Sequence, residues 1–139
     1  MKQITLLFLL IVQSTIAQNS LFNQIEAKNI GPTIMSGRVV DLAVNPKNPI
    51  EFYVAYATGG LWYTNNNGTS FSPVMDSAET VNCGSVTVDW NSGTIWVGTG
   101  EVNASRSSYA GVGVLKSSDK GKTWENLGLK DSHHISRIW

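Results

Sequence analysis

Seven side chains in the second half of the chain are of the types that contact ligands or move protons. They are Glu101, Asn103, Arg106, Tyr109, Asp131, His133 and His134. Glu101 could bind a ligand or serve as an acid, but after Gly98-Thr99-Gly100 it could equally cap a turn or pair with Arg106. The seven residues are therefore candidates for ligand binding, and none is assigned a catalytic role.

The two histidines are adjacent, which argues against a shared metal ion. Successive side chains of an extended segment point to opposite sides, so His133 and His134 are poorly placed to chelate one cation. We expect one of them to pack between blades and the other to face a central channel. We expect neither a metal nor a cofactor.

A second motif has the spacing of a tight hairpin: Ser117-x-Asp119-x-Gly121-x-Thr123-Trp124. The Asp119 carboxylate can accept backbone N–H bonds across the turn, and Gly121 can supply the positive φ that the turn needs. Thr123 begins the outgoing strand, and Trp124 is expected to bury its indole between two sheets. The pattern occurs once before, with asparagine in place of aspartate, at Thr64, Asn66, Gly68, Ser70 and Phe71. We interpret the motif as structural.

Composition excludes several classes of function. The 139 residues include 10 Lys+Arg and 10 Asp+Glu, so the balanced charge gives no electrostatic footprint for nucleic acid. Charged residues make up 14% and hydrophobic residues 42%, which excludes a disordered charged tail. The single cysteine, Cys83, excludes an intrachain disulfide and a multi-cysteine zinc site. It lies in a strand-like run and is expected to be a small core residue.

The first seventeen residues have the pattern of a secretory signal. Lys2 is the positive charge, residues 4–12 form an apolar run, and Thr15-Ile16-Ala17 places small residues before a cleavage site. Gln13 and Ser14 stop the run short of a membrane span. We expect residues 18–139 to act in a secreted or cell-surface location, where Asn67 and Asn103 match the N-glycosylation pattern.

Beyond the signal, the chain is a repeat of short β-rich runs without helical periodicity. In the first copy strands are predicted at 39–44, 52–57, 60–64 and 70–74, and in the second copy at 84–89, 94–99, 112–117 and 123–127. Four short strands per period of about 40–50 residues indicate an all-β fold built from propeller blades of four antiparallel strands. Blade one would span about 37–74 and blade two about 82–127, while 135–139 would begin a third blade. Residues 27–31 would be an outer strand of a further blade, so the chain is interpreted as the N-terminal part of a larger propeller.

The sequence resembles the start of a sortilin-like (VPS10-type) or Asp-box (BNR-repeat) propeller of the large secreted bacterial kind. The hairpin motif around Asp119 matches the Asp-box. The other stretches that carry the resemblance are Asn29-Ile30-Gly31-Pro32, Gly37-Arg38-Val39, Asn45-Pro46-Lys47-Asn48-Pro49, Gly59-Gly60-Leu61-Trp62, Trp96-Val97-Gly98-Thr99-Gly100-Glu101 and Asp131-Ser132-His133-His134-Ile135. Sortilin-like propellers bind peptides or proteins, so the resemblance implies a ligand of that kind.

Two functions follow from the resemblance. The first is a non-catalytic scaffold that binds a protein, a peptide or a glycan through the loops that join strands two and three and link successive blades. The alternative is a glycoside hydrolase of the xyloglucanase or sialidase type, with its catalytic residues mostly outside this chain. In the xyloglucan hydrolases that this region resembles, a catalytic aspartate stands just before the Gly-Gly of the first blade, but Tyr56-Ala57-Thr58-Gly59-Gly60 contains no acid. We therefore favour binding, with no membrane span in the mature chain.

Overall fold

The computed structural model describes residues 37–102 and 108–139, which form two four-stranded antiparallel sheets. Sheet one contains β1 (Val39–Val44), β2 (Phe52–Tyr56), β3 (Gly60–Thr64) and β4 (Ser72–Pro73). Sheet two contains β5 (Cys83–Asp89), β6 (Thr94–Thr99), β7 (Val114–Ser117) and β8 (Glu125–Asn126), followed by a short 3₁₀ helix η1 (Lys130–Ser132). Each strand pairs with the next one along the chain, which is the architecture of a propeller blade. The predicted all-β fold with four-stranded blades is confirmed.

The two sheets repeat each other in detail. In sheet one the register shifts between Val39 and Asp41 of β1, and in sheet two it shifts between Cys83 and Ser85 of β5. A bulge of this kind bends a strand and increases its twist. Both first strands are therefore bent at the same place, and the sequence repeat corresponds to a structural one.

The hydrophobic core lies between the two sheets. Strand alternation places Tyr53, Ala55 and Leu61 of sheet one opposite residues of sheet two. The buried residues contributed by the second sheet are Cys83, Val86, Ile95, Val97 and Leu115. These side chains form one apolar cluster that fixes the two sheets against each other.

Cys83 is part of this core, as predicted. Its side chain is fully buried, and Sγ lies 3.6 Å from Sδ of Met75. Burial raises the pKa of the thiol to about 12, so the thiol stays protonated at neutral pH. The cysteine acts as a small apolar residue and not as a nucleophile.

Polar bonds add to the contact between the sheets. The Asp41 carboxylate on β1 accepts a hydrogen bond from the backbone N–H of Val86 on β5, over 3.0 Å. At the outer edge, the indole N–H of Trp124 donates to the carbonyl of Val74, also over 3.0 Å, while the ring packs against the core cluster. Trp124 thus lies between the sheets, where the hairpin motif predicted it.

The segment after sheet two contains no strand within the described residues. Residues 135–139 form no strand, because a strand needs a paired neighbour. Within the described residues, the backbone of this segment makes a single hydrogen bond, from the Ile135 N–H to the Thr99 carbonyl. A third blade starting here stays a prediction.

Residues 27–31 and the signal at 1–17 lie outside the described residues. Across 37–102 and 108–139, no helix is long and apolar enough to cross a membrane.

Candidate functional site

The loops predicted to bind a ligand lie at one end of the strands, which we call the loop face. Among the described residues it consists of the β2–β3 turn at 57–59, the link between sheets at 74–82, and the segments 100–102, 108–113 and 127–135. The opposite end, the turn face, carries the β1–β2, β3–β4, β5–β6 and β7–β8 turns. Candidate residues Asn103 and Arg106 lie outside the described residues, so their placement stays a prediction.

An ion pair between Arg38 and Glu101 joins the two sheets on the loop face. The Glu101 side chain is 4% exposed and the Arg38 side chain 51% exposed, so a buried carboxylate is held by a guanidinium that reaches solvent. The backbone N–H of Glu101 also donates to the Tyr109 carbonyl over 3.0 Å. A buried carboxylate requires such partners to offset its desolvation. Sequence reasoning considered Arg106 as the partner, whereas the structure brings Arg38 to this position.

Three glycines of sheet two and its edge allow the segment 133–135 to approach closely. A Cβ on Gly84 or Gly98 would collide with Ile135, and a Cβ on Gly100 would collide with the carbonyl oxygen of His133. Gly100 also has φ of 92°, a value that other residues rarely adopt. We call Gly84, Gly98 and Gly100 the glycine slot, because the backbone of 133–135 passes directly over them.

Backbone hydrogen bonds hold the crossing segment in the slot. The N–H of Gly111 donates to the His133 carbonyl over 2.6 Å, and the N–H of Ile135 donates to the Thr99 carbonyl over 3.0 Å. Thr99 is fully buried; its hydroxyl donates to the Gly113 carbonyl and accepts from the Val112 N–H. Thr99 was not among the predicted site residues, although its position between two glycines was a signal of close packing.

The prediction that one histidine packs between blades stays a prediction, since neither histidine lies between the two described sheets. His133 and His134 both have exposed side chains, because the contact with sheet two is made by the His133 carbonyl and not by an imidazole. Asp131 and Tyr109 are exposed as well. Within the described ranges, no three His, Cys, Asp or Glu side chains are grouped so that they could hold a metal ion.

The structure shows how the hairpin motif forms its turn. Asp119 Oδ1 accepts from the Ser117 hydroxyl at 2.8 Å and from the Thr123 N–H at 2.9 Å, and Oδ2 accepts from the Thr123 hydroxyl at 2.6 Å. The N–H of Gly121, whose φ is 88°, donates to the Ser117 hydroxyl. Hydrogen bonds from Thr123 first, and then Ser117, lower the pKa of Asp119 to about 2. All of the carboxylate's bonds are internal to the turn, as expected of a structural residue.

The earlier copy of the motif has the same hydrogen bonds. Asn66 Oδ1 accepts from the Thr64 hydroxyl at 2.9 Å and from the Ser70 N–H at 3.0 Å. The amide nitrogen of Asn66 takes the place of the second carboxylate oxygen and donates to the Ser70 hydroxyl at 2.8 Å. Phe71, unlike Trp124, packs edge-on against Phe52 on the other face of its sheet, with ring centroids 6.0 Å apart.

Two acids on the loop face, Glu101 and Glu79, are each bonded to a partner, whereas Asp131 is exposed. Glu101 is paired with Arg38, and Glu79 accepts from the Asn126 amide at 3.1 Å and lies 4.0 Å from the Lys130 ammonium. The turn 57–59 contributes no acid; there the Gly59 carbonyl accepts the indole N–H of Trp62 over 2.7 Å. The arrangement offers a partly exposed guanidinium to a ligand.

Comparisons with known proteins find likeness in structure alone. The sequence matches no family model and no curated protein. Among solved structures, the chain is similar to a GH74 enzyme from Niastella koreensis, with 24% identity over 67% of this chain and a TM-score of 0.49. It is also similar to the GH74 xyloglucanase from Xanthomonas campestris, with 20% identity over 63% of this chain and a TM-score of 0.45. The matched regions cover 14% and 15% of those two chains, so this chain spans only a small part of their length.

Proposed function

We propose that this chain is the N-terminal part of a secreted β-propeller, of the sortilin-like or Asp-box type, that binds a protein, peptide or glycan without cleaving it. The supporting observation is the Arg38–Glu101 pair at the loop face. Arg38 is half exposed, and a guanidinium has five N–H donors in a planar fork. Donors that Glu101 does not use are available to a carboxylate, a backbone carbonyl or a sugar hydroxyl of a ligand.

The surroundings of Glu101 support binding over hydrolysis. Glycoside hydrolysis uses two carboxyl groups on opposite sides of a sugar, one of which gives up a proton. In the described part of the loop face, Glu101 is paired with Arg38 and Glu79 is bonded to Asn126. The turn at 57–59 has no acid to add. A rigid pair of sheets that presents one guanidinium suits recognition.

Binding can be separated from catalysis with the full chain and two probes. A peptide array with free C-terminal carboxylates and a xyloglucan oligosaccharide are each tested for binding, and the sugar is also tested for release of reducing ends. We expect one probe to bind, Arg38→Met to weaken that binding about tenfold, and no reducing ends to appear. Arg137→Met is the matched control, because Arg137 stacks on Trp139 and not on the site.

Two results would contradict this proposal. Sugar release that disappears in Glu101→Gln would establish the glycoside hydrolase alternative. Failure of both probes, or equal binding by wild type and Arg38→Met, would remove Arg38 as a recognition residue. Secretion is tested separately, because a secreted product whose N-terminus is not Gln18 would contradict the predicted signal at 1–17.

A further inference from the structure

A second concave site lies on the turn face, between the two sheets and at the opposite ends of the strands from Arg38 and Glu101. It is a cleft of about 180 Å³ lined by Asn45, Glu51, Tyr53, Val88, Trp90, Gly93 and Lys120. Pockets for drug-sized ligands measure about 300–1,000 Å³, so this cleft has room for one small ring and not for a chain.

Aromatic rings form one wall of the cleft. Tyr53 is 4% exposed and its ring lies between those of Tyr63, at 4.9 Å, and Trp90, at 5.5 Å between centroids. The Tyr53 ring therefore contacts an aromatic ring on each side, and Tyr53 and Trp90 form one wall of the cleft.

A fixed carboxylate lies beside the rings. Glu51 Oε1 accepts from the Tyr63 hydroxyl at 2.5 Å, and Oε2 accepts from the Asn45 amide at 2.8 Å. The bond from Tyr63, followed by that from Asn45, lowers the pKa of Glu51, so the group is ionised at neutral pH. An ionised carboxylate has about four lone-pair sites, and two of them remain for a ligand.

A free ammonium group completes the lining. Lys120 is exposed and its side chain extends over Gly93, where a Cβ would lie 3.6 Å from the lysine Cε. Within the described residues Lys120 belongs to no ion pair, yet its charge contributes to lowering the pKa of Glu51. The lining thus offers hydrogen-bond acceptors on one side, donors on the other, and no net charge.

We propose that this cleft binds a single neutral polyhydroxylated ring, such as one pyranose residue. The ring's C–H face would contact Trp90, which the buried Tyr53 supports from behind. Its hydroxyls would donate to Glu51, and another hydroxyl would accept from Lys120. The alternative occupant is a small zwitterion, whose cationic group would meet Glu51 and whose anionic group would meet Lys120. The site is independent of the proposed ligand site on the loop face.

The test titrates the full chain with methyl glycosides of glucose, galactose and xylose, up to about 100 mM, while the indole N–H signals are followed by NMR. Glycine betaine and free glycine serve as probes for zwitterionic ligands. We expect one glycoside to shift the Trp90 signal with a Kd of about 1–10 mM, which is typical of a few hydrogen bonds and one ring contact. Lys120→Met keeps the aliphatic stem and should weaken binding about tenfold. Trp90→Ala should abolish it.

Lys122→Met is the matched control, since Lys122 belongs to the same turn but does not line the cleft. Lys120 is exposed, so its variant should fold even if the Trp90 variant does not. The proposal is overturned if none of the glycosides shifts the Trp90 signal, if betaine or glycine binds in their place, or if Lys120→Met binds the glycoside as tightly as Lys122→Met.

Discussion

Replacing Trp124 by alanine tests the packing between the sheets. The indole donates to Val74 over 3.0 Å and its ring contacts the core cluster, but the side chain is only partly buried. Truncation of a core tryptophan costs about 3–5 kcal/mol, so partial burial places Trp124→Ala near the low end, at about 3 kcal/mol. About 1 kcal/mol of this is the lost hydrogen bond.

The assay is urea and thermal unfolding of the full chain, followed by circular dichroism. For a domain of this size a loss of about 3 kcal/mol lowers the Tm by roughly 12–24 °C. Trp124→Phe keeps an aromatic ring but has no N–H to donate. Its free energy of unfolding should therefore fall by only about 1 kcal/mol, which is the contribution of the hydrogen bond. If Trp124→Ala unfolds within about 1 kcal/mol of wild type, the indole does not stabilise the contact between the sheets.

Two further predictions concern the turns and the glycine slot. Because its folded pKa of about 2 lies below the reference value of 3.8, Asp119 contributes stability that is complete above about pH 4 and lost as the pH falls toward about 2. When the urea midpoint of unfolding is measured at a series of acid pH values, Asp119→Asn should show a smaller decrease with falling pH than wild type, and Asn66→Asp a larger one. The same pH dependence in all three proteins would contradict the turn geometry. Gly100→Ala should destabilise the fold by about 2 kcal/mol more than Gly128→Ala in the same urea assay, because both have positive φ but only Gly100 lies against another backbone. Equal losses would mean that the close approach costs nothing.

Strand positions could be predicted from the sequence because they depend on local signals. The bounds predicted from alternation and turn residues agree with the observed bounds of β1, β3 and β6. The outer strands are shorter than predicted, as β4 contains only Ser72–Pro73. Residues up to Ser70 are used by the turn, and Pro73 has no N–H to extend the ladder.

The site was less predictable because it depends on contacts between distant parts of the chain. Glu101 was identified as a candidate, but its partner Arg38 comes from the first strand of the other sheet, and no local pattern links the two. The histidine pair drew attention for its imidazoles, whereas the structure uses the carbonyl of His133. The type of a residue indicates the chemistry of its side chain, but it does not predict the contacts of its backbone.

The glycine slot has a consequence for how the loop face can vary. Sheet two receives residues 133–135 largely through carbonyl and N–H groups, which every amino acid except proline provides. The side chains of His133 and His134 point to solvent and are not needed for that contact. Substitution there should change the surface that a ligand meets while the crossing of the chain is kept. Positions 133 and 134 can therefore be substituted during evolution to recognise new ligands, whereas the three glycines of the slot must be retained.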